Sequence, residues 1–163
     1  MGLRRIVEVL EFNGNSLTAQ MHFFTLHELK KMHALNMLRL KSIEAEKDVI
    51  LEKKGLRKGS FDFLVEAKNG KTIGFEVLTR PSKGKMKQKL AYAKNVDEFV
   101  FVIPEHFLEA YKKHAKNGHR FSTRPKFLPK EFAGEKLLVW IFDVESLKFT
   151  QKATFQQLFN VLR

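Results

Sequence analysis

The chain has 163 residues, enough for one domain of ordinary size, and with 44% apolar residues, 16 Phe among all, it can bury a sizeable core. Thirty Lys and Arg against 18 Asp and Glu leave a net charge of +12 and a pI near 9.9, an excess that suits a polyanionic partner, most commonly nucleic acid. The absence of Cys excludes disulfides, Cys-ligated zinc, iron–sulfur clusters and thiol catalysis.

In chain order, residues 5–12 alternate, Asn13-Gly14-Asn15 carries turn chemistry, and residues 16–24 loosely alternate again, which predicts an N-terminal hairpin. No apolar segment of signal-peptide type follows Met1, and no run of about 18 apolar residues exists, so a cytoplasmic protein without membrane spans is expected. Thr25-Leu26-His27-Glu28 has the form of a capping box, opening a helix to about Leu40 with Leu26, Leu29, Met32, Leu35 and Leu38 inward. Residues 46–53 predict a strand, Gly55–Gly59 a basic turn, and Phe61–Lys68 and Lys71–Thr79 two further strands. Pro81-Ser82 starts a second helix to about Lys94, with Met86, Leu90 and Ala93 inward. Val96–Ile103 is almost continuously apolar, as a central strand covered on both faces must be. A short helix from Pro104 to about Lys116, a buried strand over Leu137–Phe142 and a helix capped by Thr154 and Gln157 complete the chain. This order predicts an α/β sandwich, a mixed central sheet flanked by helices.

The two strands around Asn69-Gly70 hold the most chemical information. A two-residue turn there would mix acids with apolar side chains on both faces. A three-residue loop, Lys68-Asn69-Gly70 with Gly70 left-handed, places Phe61, Phe63, Val65, Ala67, Ile73, Phe75 and Val77 on one apolar face. Burial favours the second register. It sets Asp62 directly opposite Glu76, their Cβ atoms roughly 5 Å apart. Facing carboxylates repel unless a proton or a cation lies between them, and an oxygen-rich pair suits Mg²⁺ or Mn²⁺.

From about Thr25 to Phe142 the chain resembles the PD-(D/E)xK nuclease superfamily, which includes archaeal Holliday-junction resolvases and many restriction enzymes. The motif elements fall on Asp62, after the basic turn Gly55-Leu-Arg-Lys-Gly59, and on Glu76-Val77-Leu78. The resemblance implies a restriction-endonuclease-like three-layer sandwich over residues 25–163, with the hairpin of residues 1–24 as an extension. It implies Mg²⁺ or Mn²⁺ on Asp62, Glu76 and the Val77 carbonyl, with Glu28 of the first helix as a possible further ligand. It also exposes a departure: Leu78 stands where the family has the Lys that steadies charge on the reacting phosphate. Some members supply that cation from the following helix, which makes Arg80, Lys83 and Lys85 the candidates, with Lys58 opposite Arg80 in the expected register.

Two long stretches carry cations and no acid. One runs from Arg80 to Asn95 with Arg80, Lys83, Lys85, Lys87, Lys89 and Lys94; the other from Tyr111 to Lys130 with Lys112, Lys113, Lys116, Arg120, Arg124, Lys126 and Lys130. With Arg57 and Lys58 they are candidate phosphate contacts to double-stranded or branched DNA. The six His residues show no close metal-ligand spacing and are expected at the surface or at helix ends. Three readings follow: a Mg²⁺-dependent endonuclease or resolvase, a catalytically inactive DNA-binding relative, and an RNA-binding or partner protein. A two-fold homodimer would suit a nuclease that cuts two strands. Abundant Lys and Glu without Cys fit a thermophile.

Overall fold

The computed structural model describes residues 16–50, 58–107, 137–155 and 157–158. In chain order these form α1 (Leu17–Ala34), β1 (Leu40–Ile50), β2 (Lys58–Ala67), β3 (Thr72–Val77), α2 (Lys83–Ala93), β4 (Glu98–Pro104), β5 (Leu137–Asp143) and β6 (Lys148–Thr154). The strands make one mixed sheet in sequence order, β1 to β6. β2 runs antiparallel to both of its neighbours, β1 and β3; β4 lies parallel to β3, β5 parallel to β4, and β6 returns antiparallel. The expected mixed sheet with helices on both faces is present.

Each face of the sheet has its own core. On one, Met21, Leu26 and Leu29 of α1 pack with Phe63, Val65, Ile73, Phe75, Val77, Val100, Val102 and Trp140. On the other, Met86, Tyr92 and Ala93 of α2 pack with Phe99, Phe101, Ile103, Val139 and Ile141. β3 and β4 are buried on both sides because their alternate side chains feed both cores. No helix among the described residues is long and apolar enough to cross a membrane.

The hairpin register follows the burial argument. The ladder pairs Phe63 with Phe75, Leu64 with Gly74, Val65 with Ile73 and Glu66 with Thr72. The Ala67 N–H donates to the Lys71 carbonyl at 2.8 Å, which closes a three-residue loop, and Gly70 takes φ +88°, a conformation that an L side chain resists. One member of the expected apolar face departs. Phe61 packs in the α2-side core, its ring 5.6 Å from Tyr92 and 5.9 Å from Phe99. Gly74 makes the room, since a Cβ there would come within 2.6 Å of the Phe61 ring. The alternation of β2 therefore breaks at Asp62.

The first helix corrects the sequence reading. It begins at Leu17, with Ser16 as the N-cap accepting from the Ala19 N–H, so residues 16–24 are helix rather than the second arm of a hairpin. A boundary after residue 24 would cut that helix. Leu17, Met21, Phe24, Leu29 and Met32 all meet the core with helical spacing, which outweighs the loose alternation. Thr25 is not a cap: it is fully buried in mid-helix, and its hydroxyl donates to the Met21 carbonyl at 2.6 Å. The helix stops at Ala34 and leaves Leu35 exposed, and β1 starts at Leu40, earlier than expected. β6 was not foreseen. The second helix and the last cap agree with expectation: Ser82 accepts from the Lys85 N–H, and Thr154 and Gln157 cap each other. Residues 1–15, the turn residues 51–57 and most of the expected helix after Pro104 lie outside the described residues.

Candidate functional site

Asp62 and Glu76 meet near the end of the β2–β3 hairpin. Beyond the last ladder pair, the Val77 N–H donates to Asp62 Oδ2 at 2.8 Å. On the α1 side, His22 Nε2 lies 3.4 Å from Asp62 Oδ1. On the α2 side, Lys89 Nζ lies 3.3 Å from Glu76 Oε2. The charge of Asp62 acts on Glu76 across the hairpin. The arrangement is a chain of four side chains, His22, Asp62, Glu76 and Lys89, with a cation at each end and two carboxyls in the middle.

The environments push the two carboxyls apart. Burial and then the charge of Asp62 raise Glu76 to about 7, and Lys89 offsets only part of that. Burial also acts on Asp62, but the bonds from His22 and from the Val77 amide outweigh it and hold Asp62 below its usual range. His22 is pulled down by burial but held above its ordinary value by its bonds to Asp62 and Thr18. Its Nδ1 is 2.7 Å from the Thr18 carbonyl, and both that oxygen and the Asp62 carboxylate are acceptors. Both ring nitrogens therefore donate, and His22 is an imidazolium when both contacts are made. Lys89 likewise resists the effect of burial through Glu76, and its ammonium lies 4.4 Å from the centre of the Tyr92 ring.

Glu76 is almost wholly buried, and its Oε1 has no hydrogen-bond partner among the described residues. An unsatisfied buried carboxylate oxygen is costly. Such an atom beside a second carboxylate fits a divalent cation, because Mg²⁺ takes one or two carboxylates and fills its shell with water and phosphate oxygens. Among the described residues no group of three or more His, Asp or Glu forms a closed metal cage.

The other expected site residues are placed as follows. Glu28 does not join the acids; it pairs with Lys152 at 2.6 Å, and that ammonium also lies 4.8 Å from the centre of the Trp140 ring. Leu78 is buried among α2-side residues, as its position two beyond Glu76 dictates. Arg80 does not continue the strand, because β3 ends at Val77; Arg80 is exposed in the bend before α2, its carbonyl 3.5 Å from Lys85 Nζ. Lys85 and Lys87 are exposed along α2, which Lys83 opens. The Lys58 and Lys83 side chains, and Arg57, Lys112, Lys113, Lys116, Arg120, Arg124 and Lys126, lie outside the described residues. Two members of the site were missed in these roles. Lys89 was one of several expected phosphate contacts, and His22 was expected at the surface. The signal for His22 was its place on a helix that the sequence reading began nine residues too late (Thr25 as cap against Ser16).

No family model matches this chain, and neither a curated protein nor a solved structure matches it.

Proposed function

We propose that this chain is a metal-dependent DNA endonuclease of the PD-(D/E)xK type. Asp62 and Glu76 are its Mg²⁺ or Mn²⁺ ligands, and Lys89 takes the part of the motif lysine that Leu78 has displaced. The observation that carries this reading is the buried Asp62–Glu76 pair with its unpartnered Glu76 oxygen. The order helix, three antiparallel strands, helix, parallel strand also fits the restriction-endonuclease-like fold.

A divalent ion bound there supplies an activated water and neutralises charge on the scissile phosphate. The chain's own groups do the rest. The Val77 amide and His22 fix the Asp62 carboxylate as an ionised, oriented acceptor. Lys89 replaces Leu78 spatially: it comes from α2 onto the same acid that the motif lysine would accompany, and its charge is available to a phosphate oxygen. Cations on the acid-free stretch from Arg80 to Asn95 would hold the backbone of double-stranded or branched DNA.

A second reading, an inactive DNA-binding relative, is favoured by the burial of Leu78 at the lysine position. Incubation of duplex, nicked and branched DNA with Mg²⁺ or Mn²⁺ separates the two. Cleavage by the wild type, lost in Asp62→Asn with DNA binding retained, is the expected result. Binding without cleavage on every substrate would support the inactive relative. RNA bound in preference to DNA would contradict both.

A further inference from the structure

A cavity of about 480 Å³ opens beside the carboxyl ends of the parallel strands β3 and β4, lined by Leu17, Thr18, Thr79, Arg80, His106 and Phe107. Its volume falls within the roughly 300–1,000 Å³ of small-ligand sites, and open α/β sheets bind ligands beyond the carboxyl ends of such strands. We infer that this cavity is a nucleotide subsite, which takes one nucleotide of the cleaved strand next to the scissile phosphate. The inference rests on the nuclease reading for its place in the reaction, though not for the binding itself.

The lining divides by chemistry. The Arg80 guanidinium and the Thr18 and Thr79 hydroxyls make no hydrogen bond or ion pair to another described residue. A fork of five donors with two hydroxyls nearby is a phosphate-binding set, and α1 carries no acid in its first turn to oppose an anion. The lining also holds rings and an aliphatic side chain. His106 and Phe107 have centroids 4.8 Å apart at an interplanar angle of 37°, and with Leu17 they offer an apolar wall on which a base can stack. A single phosphate would leave that wall unused, and a neutral apolar ligand would leave the guanidinium unused. A nucleotide uses both.

Two short links tie the cavity to the acids. Thr18, on its wall, bonds through its carbonyl to His22, which holds Asp62. Thr79, also on its wall, is three residues beyond Glu76. A nucleotide seated here needs an accessible base, so the site favours single-stranded, frayed or branched DNA over continuous duplex.

The test is a titration of thymidine monophosphate, thymidine and inorganic phosphate, each without metal, into the ¹⁵N-labelled full chain. Expected are saturable shifts at the Thr18, Thr79, Arg80 and His106 amides, with the nucleotide binding near about 1 mM and about tenfold tighter than either fragment. Arg80→Ala is exposed and should fold normally; it should weaken the nucleotide about tenfold and leave thymidine nearly unchanged. Phe107→Ala should weaken both. Inorganic phosphate binding as tightly as the nucleotide would overturn the inference and leave an anion site. So would shifts confined to other residues, or nucleotide affinity unchanged in Arg80→Ala. The metal-free titration reads binding alone: nucleotide binding by a chain that cleaves no DNA in the separate Mg²⁺ and Mn²⁺ assay would sink the nuclease reading alone, and cleavage in that assay without nucleotide binding here would sink this inference alone.

Discussion

Lys89 reaches Glu76 from α2, its ammonium 3.3 Å from the carboxyl, while Leu78, two residues beyond Glu76, is a buried apolar side chain. On the proposed reading, Lys89 does from the helix what a motif lysine would do from the strand. Lys89→Gln should therefore reduce metal-dependent cleavage by about 10²-fold, the usual cost of removing one preorganised charge donor, with DNA binding changed far less. Leu78→Lys in that background should restore part of the rate. Cleavage by Lys89→Gln at the wild-type rate would show that the ion pair is structural only.

Glu76 makes the free protein less stable as pH rises. Its carboxyl titrates at about 7 in the fold against 4.5 ordinarily, so the folded state holds the proton more tightly. The associated stability is fully present below about 4.5 and is lost as pH rises through about 7, amounting to about 3 kcal/mol at most. Glu76→Gln keeps the shape without the charge. In chelator, urea unfolding should find the variant more stable than wild type at pH 8, by up to about that amount, and nearly equal at pH 4. Equal stability at both values would contradict the buried-carboxylate account.

His22 and Asp62 move in opposite directions, and each stabilises the other's charge. The Asp62 contribution is present above its ordinary value and lost as pH falls through its lowered folded value. The His22 contribution is present below 6.5 and lost as pH rises through its raised folded value. Their pairing is thus at its strongest between these limits. A double-mutant cycle with His22→Gln and Asp62→Asn should give a coupling of about 1 kcal/mol at pH 5.5, diminishing above the His22 titration seen by NMR. No coupling at pH 5.5 would mean the contact is incidental.

Gly74 holds space for the Phe61 ring, the residue whose change of face breaks the β2 alternation at Asp62. Gly74→Ala should cost about 1–3 kcal/mol by overpacking, and Phe61→Leu should recover part of it in the double variant. Thermal unfolding of the three proteins checks this. A neutral Gly74→Ala would show that the ring has room elsewhere.

Much of the fold was legible where burial and turn chemistry agreed. The β2–β3 register could be read because only one loop length gathered Phe63, Val65, Ile73, Phe75 and Val77 together, and Asn69-Gly70 permits that loop. The caps at Ser82 and at Thr154–Gln157 could be read for the same reason. The Thr25–Glu28 pattern misled because an earlier cap, Ser16, and a continuous apolar stripe through Met21 and Leu29 outweigh a local signature. β6 was hidden because an edge strand, with Lys148 and Lys152 exposed, needs little apolar content. The acids of the site could be read from the register. Lys89 could not be singled out among evenly spaced lysines, since only the packing of α2 selects the one that meets Glu76.

The most direct test of the account is a calorimetric titration of Mg²⁺ and Mn²⁺ into wild type and into Asp62→Asn/Glu76→Gln, with and without uncleavable DNA. The account predicts saturable binding near about 1 mM or tighter in the wild type, strengthened by DNA and abolished in the double variant. Metal binding unchanged in the double variant, or none in the wild type even with DNA present, would contradict it.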